Sequence, residues 1–408
     1  MRSGAGPTHA LSTFELVAMV AALSALNALA IDVMLPALPN IGETFALAND
    51  NDRQLVVIVY VAAFGIMQLV YGPLADAYGR RSVLVGALGA FALGCVLSVL
   101  APTFEMLLAA RALQGVGAAA TRVISVAVVR DLVEGRRMAQ IMSMAMTVFM
   151  LVPIIAPGVG QLILLVAPWR WIFGALLIYA LGILAWTLIR LPETLKPENV
   201  TPFRPRAIAG AYASVLRNRQ FLGYMIASTF LSGALFGYIT ASEQLYVDVF
   251  GLGRNFAFAF ASIAIAITIG TFLNSRIVMR YGMRRISHVM AIWFTVLGAV
   301  HVLMAAAGLN SIWVFLPMLA ITLLPFGMVG GNFNALAMEP MARNVGSASA
   351  LFGALTAIGG SVIAGFIARA FNGTTLPFLI GFTIAGVLML IAVFCVERGK
   401  LFREPASV

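Results

Sequence analysis

Apolar stretches of about 20 residues, parted by short polar breaks, recur along the whole chain. A helix rises about 1.5 Å per residue and the hydrocarbon core of a bilayer is about 30 Å thick, so each stretch can cross a membrane as one helix. The pattern predicts twelve spans, at residues 14–39, 54–75, 82–101, 104–130, 138–164, 169–191, 220–247, 255–279, 286–308, 311–337, 345–371 and 376–396. The first stretch exceeds the apolar region of a secretory signal, lacks a strongly basic leader and carries Asp32, so it is expected to remain as the first helix. The fold class implied is an all-α membrane protein.

Composition agrees: 61% of residues are hydrophobic and 10% charged, where soluble proteins carry roughly 25% charged residues. The net charge of +10 does not point to nucleic acid, because the Lys and Arg residues sit in short loops and not on one soluble face. Their placement reports topology instead. Of 26 cationic residues, Arg2, Arg80, Arg81, Arg130, Arg136, Arg137, Arg190, Lys196, Arg204, Arg206, Arg217, Arg219, Arg276, Arg280, Arg284, Arg285, Arg343, Arg398, Lys400 and Arg403 fall on one side of the predicted membrane. Arg53, Arg170, Arg254 and Arg369 fall on the other. The positive-inside rule then puts both termini in the cytoplasm.

Cys95 and Cys395 lie within predicted spans and offer neither a disulfide framework nor metal-ligand spacing. His9, His288 and His301 complete no catalytic arrangement, and no phosphate-binding loop is present, so neither a soluble-type enzyme nor a nucleotide-driven pump is expected. Transport would draw on an ion gradient or run downhill.

The longest polar segment, residues 192–219, holds Pro192, Pro197, Pro202 and Pro205 among basic residues. It divides the chain into a first half, 1–191, and a second, 220–408, each with six spans. Tyr78-Gly79-Arg80-Arg81 follows span two, and Tyr281-Gly282-Met283-Arg284-Arg285 follows span eight. Matching loops at matching positions are expected of a transporter built from two related, pseudo-symmetric six-helix bundles.

Ionisable groups inside a membrane are expensive and suggest function. Asp32 is the first such group, and a carboxyl that alternates between apolar surroundings and a guanidinium alternates in proton affinity. The plainer alternative is a structural ion pair or a hydrogen-bonded polar residue near the outer end of the helix. Arg111 and Arg122 are eleven residues apart in span four, about three helical turns, so they share a face with Gly115, Ala118 and Ser125. That face is expected to look into the bundle, with Arg111 pairing with or competing for Asp32. For Arg122 two readings stand: a clamp for a carboxylate or polarised oxygen of a substrate, or a side chain that snorkels toward the cytoplasmic interface.

Four segments carry a family resemblance. Gly72-Pro73-Leu74-Ala75-Asp76-Ala77-Tyr78-Gly79-Arg80-Arg81 resembles the cytoplasmic loop motif of the major facilitator superfamily. Arg111, Gln114, Gly115 and Gly117 resemble the fourth-span motif of its proton-coupled members. Pro153, Pro157, Gly158 and Gly160 resemble the fifth-span antiporter motif, with Gln161 where a glycine is expected. Ile31-Asp32-Val33-Met34-Leu35-Pro36-Ala37-Leu38-Pro39 resembles the first span of twelve-span drug:proton antiporters of the Bcr/CflA type. The resemblance implies that Asp32 and Arg111 couple transport to the proton, the only cofactor-like species expected. It further implies that Gly72, Asp76, Gly79, Arg80 and Arg81 latch the two halves at the cytoplasmic face. A span five bent at its prolines and closely packed at its glycines would seal the pathway against proton leak.

Candidate substrate-lining residues are Asp32, Leu35, Tyr60, Arg122, Met146, Phe149, Phe236 and Tyr238, with Phe64, Met67, Tyr71, Met150 and Glu243 as further members; for Glu243 a second protonatable group or simply a wet residue near the outer end are the other readings, and Asn332 and Asn334 either bond across helices or line the route. Soft, adaptable side chains suit promiscuous apolar ligands, although such stripes are more often packing. The first functional expectation is a monomeric, proton-coupled exporter of small amphipathic drugs, such as amphenicol-like antibiotics, in a bacterial inner membrane. The rivals are an exporter dedicated to one metabolite or sugar and, in another class, a non-transporting receptor or scaffold.

Overall fold

The computed structural model describes residues 12–133, 135–342 and 344–402. Arg2, His9, Arg343 and Arg403, which the sequence places outside the spans, lie beyond those residues. The described residues form helices without a strand. Twelve helical segments are long and apolar enough to cross a membrane, in the order expected.

The first of them is broken. It consists of α1 (Thr13–Asp32), a tight 3₁₀ turn at Leu35–Ala37 and α2 (Leu38–Thr44). There follow α3 (Leu55–Tyr78), α4 (Arg80–Leu100), α5 (Phe104–Leu132), α6 (Gly135–Val166) and α7 (Arg170–Arg190). The basic, proline-containing linker includes a twelve-residue helix, α8 (Pro205–Leu216). The second half comprises α9 (Arg219–Glu243), α10 (Phe256–Tyr281), α11 (Met283–Ala306), α12 (Ile312–Met338), α13 (Val345–Arg369) and α14 (Leu376–Val396).

Polar caps fix several starts. The Ser12 hydroxyl accepts from the Glu15 amide at 3.1 Å, Thr103 from Met106 at 3.3 Å, and Asn218 from Phe221 at 3.0 Å, each satisfying an amide that the first turn leaves free. The helices run past the hydropathic limits because polar flanks such as Arg80 and Arg81 are themselves helical.

Each half is assembled alike. In the first, α5 packs between α3 and α4, and α4 against α7; in the second, α12 packs between α10 and α11, and α11 against α14. The halves meet through α3 on α13 and α6 on α10. Outward faces carry exposed Leu165, Ile178, Trp313 and Phe366, apolar surface suited to lipid.

The repeated loops make corresponding contacts in the two halves. Gly79 and Gly282 precede α4 and α11 with φ of 94° and 77°, a left-handed conformation open to glycine. Arg80 then reaches Asp131 at the end of α5 (3.2 Å), while its backbone amide donates to Glu193 after α7 (2.8 Å). Arg284 likewise reaches Glu339 after α12 (2.9 Å) and Glu397 after α14 (3.3 Å). The one-residue offset between the loops is absorbed so that Arg80 and Arg284 play one part.

The contacts of the loop motif differ from the expected latch. Asp76 pairs with Arg80 at 2.5 Å and accepts the Thr201 amide of the linker at its carbonyl, and Arg81 donates to the Leu188 carbonyl. Gly72 faces open space, and a Cβ placed there would meet no atom within 4 Å. In this conformation the motif braces the first half and the linker, with no ion pair to the second half among the described residues.

Candidate transport site

Asp32 ends α1, about 28 Å along the helix from Thr13 at 1.5 Å per residue. The break beyond it has a covalent cause. Pro36 has no amide hydrogen for the Asp32 carbonyl, and Pro39 has none for that of Leu35, so the span stops and restarts. Broken helices in membranes present unsatisfied backbone and side chains to a central site. Asp32 is only 4% exposed and makes no side-chain hydrogen bond or ion pair among the described residues. Tyr60 of α3 and Tyr238 of α9 lie within electrostatic reach of it, one from each half.

Arg111 does not meet Asp32 here. Its guanidinium donates from Nε to the Val56 carbonyl and from Nη2 to the Ala30 carbonyl, both at 3.0 Å, and from Nη1 to Gln114 Oε1. It also lies 4.4 Å from the Tyr60 ring centroid, on the ring face, where the quadrupole attracts a cation. Ala30 belongs to the last turn of α1, whose carbonyls lack amide partners within the helix. Arg111 therefore caps the broken end two residues before Asp32, and its charge favours a helix C-terminus. The pairing expected from sequence is replaced by support of the backbone that carries Asp32.

Arg122 of α5 is exposed, and its guanidinium makes no hydrogen bond or ion pair among the described residues. Asn334 of α12 is exposed, while Asn332 is buried and bonds Asn274 of α10 twice, at 3.0 Å each.

The remaining candidates divide. Leu35 and Tyr60 are fully buried, and Tyr60 donates to Asn27 Oδ1 at 2.9 Å and stacks on Phe64. Tyr71 is buried, and Met67 and Met150 partly so. Tyr238 is buried against Phe260, with 5.5 Å between ring centroids. Phe236 packs toward Gly360 of α13. Met146 is exposed and Phe149 half-buried on α6. The aromatic stripes are therefore mostly packing in this conformation, and Asp32 and Arg122 are the charged candidates without a protein partner among the described residues.

In the antiporter segment the two glycines differ. A Cβ on Gly160 would lie 1.9 Å from the Val33 carbonyl oxygen and 3.0 Å from Pro36, so α6 touches α1 at its break. On Gly158 the nearest atom would be Ala257 Cβ at 3.9 Å. Pro153 and Pro157 lie inside α6, which continues through both. Gly160→Ala is expected to lower stability by about 1–3 kcal/mol through overpacking, read as thermal unfolding of the purified protein in detergent. Gly158→Ala should leave the transition in place, and equal losses would remove the special role of the α1 break.

Glu243 and Gln161, with residues not singled out from sequence such as Arg53, Gln54, Asn51, Gln244 and Asp248, seal one face. Arg53 reaches Glu243 at 3.0 Å and Asp248 at 2.5 Å; Gln54 donates to Glu243 at 3.3 Å; Gln244 donates to Asn51 at 2.6 Å. Gln161, the departure from the family pattern, donates to the Gly253 carbonyl at 2.7 Å and accepts the Ala257 amide at 3.2 Å. All of these join the two halves. Among the described residues, every ion pair between halves lies on this face, whereas those near the linker, from Arg80, Arg190 and Arg284, stay within a half. The closed face thus lies opposite the linker.

Residues 20–364 match the family model described as Major Facilitator Superfamily. The chain belongs to the major facilitator superfamily. It is 33% identical over 367 residues to an uncharacterized MFS-type transporter, YdgK, of Bacillus subtilis (strain 168), covering 88% of this chain and 89% of that one. It is 29% identical over 398 residues to a bicyclomycin resistance protein homolog of Haemophilus influenzae (strain ATCC 51907 / DSM 11121 / KW20 / Rd), covering 96% and 98%. The crystal structure of a D-xylose-proton symporter superimposes with a TM-score of 0.71 at 17% identity, over 96% of this chain and 100% of that one. As a member of this superfamily the protein is a multi-pass membrane transporter and not an enzyme.

Proposed function

We propose that this superfamily member is a proton-driven exporter of small amphipathic compounds in a bacterial inner membrane, with its linker and both termini in the cytoplasm. The observation that carries this reading is Asp32: a buried carboxyl without a side-chain partner among the described residues, at a break in the first span and within electrostatic reach of one tyrosine from each half. A structural ion pair would have a cation beside it, and Arg111 is committed elsewhere. The relative named for bicyclomycin resistance supports drugs as the substrate class.

The arrangement fits alternating access. With the linker face inside, the present conformation receives substrate from the cytoplasm beside a deprotonated Asp32. After the halves rock and the opposite face opens, protonation of Asp32 from the acidic side favours release, and the return carries the proton inward. No bound group other than the proton is needed, and one chain holds the whole pathway.

Proteoliposomes with an imposed pH gradient test this directly. Dye is expected to move uphill while the gradient stands, and to stop when an ionophore collapses it; uphill movement without a proton gradient would refute the proposal. Unpartnered Arg122 supports a second reading, a dedicated exporter of an anionic metabolite. It would show as movement of one carboxylate compound with the dye left behind.

A further inference from the structure

The closed face holds a second buried acid that the Asp32 cycle does not use. Glu243 is fully buried at the end of α9, where the helix widens into a π-helical turn over Gln244–Val249. Such turns carry bonds from i to i+5 and are frequent at functional sites. The wide turn sets residues five apart roughly above one another, and Glu243 and Asp248 accordingly converge on one guanidinium from the other half.

The charges there do not balance. A single nitrogen, Nη2 of Arg53, faces three carboxylate oxygens: Glu243 Oε2 at 3.0 Å, Glu243 Oε1 at 3.2 Å and Asp248 Oδ2 at 2.5 Å. It carries two hydrogens. Arg53 Nε, Gln54 Oε1 and Gln244 Oε1 are buried without a hydrogen-bond partner among the described residues. One cation between two carboxylates leaves a surplus negative charge in a dry, under-bonded seal. Asp248 is 38% exposed at its side chain and opens the cluster to water, whereas Glu243 is dry. Arg53 and Asp248 are the charged groups that face Glu243, with Gln54 a neutral donor. Asp52 and Arg369 form a looser pair, 3.7 Å apart, and Tyr238 and Tyr246 meet each other through their hydroxyls at 3.4 Å.

We infer that the Arg53–Glu243–Asp248 cluster is a second proton-binding site, distinct from Asp32, which gates the face opposite the linker. A proton from the outer solution enters by Asp248 and settles on Glu243. The surplus charge is neutralised, the hold on Arg53 weakens, and the halves are freed to part. The seal is the only place among the described residues where ion pairs bridge the halves, so its loosening bears directly on opening. This inference rests on the proposed orientation and on alternating access.

The test needs no transport. Ser242, buried beside Glu243, is changed to Cys in a chain with Cys95→Ala and Cys395→Ala, and labelled from outside in proteoliposomes with a membrane-impermeant maleimide. Labelling rates are corrected for reagent pH dependence with a free thiol. Lowering the outer pH from 8 to 5.5 is expected to speed labelling about tenfold as the open population rises. Glu243→Gln should label fast and without pH dependence, and Asp32→Asn should keep the full pH response while losing driven transport. Gel filtration of each variant verifies folding, and Asp248→Asn, at the wet edge, supplies a second perturbation that should blunt the response. A pH-independent parent, an unchanged response in Glu243→Gln, or loss of the response in Asp32→Asn would each overturn a separate gate. Failure of driven transport in the parent with the pH response intact would instead count against the exporter reading alone.

Discussion

Asp32→Asn is expected to cripple uphill transport while leaving a folded protein that still binds substrate. An amide matches the carboxylate in shape and cannot exchange a proton, so binding and release lose their link to the pH difference. Coupling free energies between sites of about 1–3 kcal/mol correspond to roughly 5- to 150-fold, and the rate of concentrative dye export should fall by a factor in that range. Downhill exchange should survive, because rocking of the halves does not require the charge. The environment explains why this one position matters. Among the described residues Asp32 has no cation to hold it and no donor to satisfy it, so the protein leaves its ionised form without support. The decisive measurement is export by the Asn variant at several imposed gradients. Full-speed pumping with an intact gradient dependence would move the coupling site elsewhere, and the Glu243 cluster would be the first place to look.

Much of this architecture is readable in the sequence because lipid imposes a simple rule. Each span must be apolar for about 20 residues, and each loop must carry the charges the membrane rejects. The twelve spans follow from that rule, and the Gly79 and Gly282 loops are legible because a left-handed turn and an arginine recur at the same place in both halves. Asp32 is legible for the converse reason, as a charge where none is tolerated.

Other features depend on which distant groups meet. The break after Asp32 is written in Pro36 and Pro39, but only the structure shows Arg111 capping Ala30 across 81 positions. Arg53 reads in sequence as an ordinary loop cation; its partner Glu243 lies 190 residues away and carries no local signal of the pairing. Gln161 is visible in sequence only as a departure from a motif, and its bonds to Gly253 and Ala257 explain it as part of the seal. The loop motif at Asp76 illustrates a different limit. A sequence specifies both ends of a conformational cycle, whereas one structure displays the contacts of one end.

Arg111 carries the second large prediction, and its geometry separates charge from shape. Three donors point three ways, to the Val56 carbonyl, the Ala30 carbonyl and Gln114 Oε1. Hydrogen bonds to a charged group are worth about 1.5–3 kcal/mol each, and relaxation recovers part of what truncation removes. Arg111→Ala is therefore expected to lower stability by about 2–4 kcal/mol and to loosen the end of α1 that presents Asp32. Thermal unfolding in detergent reads the first effect and dye export the second. Arg111→Lys keeps the positive charge near the helix C-terminus, but an ammonium is a compact point and cannot span three separated acceptors as a planar fork does. Lys should restore less than half of the lost stability and little of the transport. Full rescue by Lys would mean that a positive charge beneath the break is sufficient, and that the forked contacts with Ala30 and Val56 contribute nothing to placing Asp32.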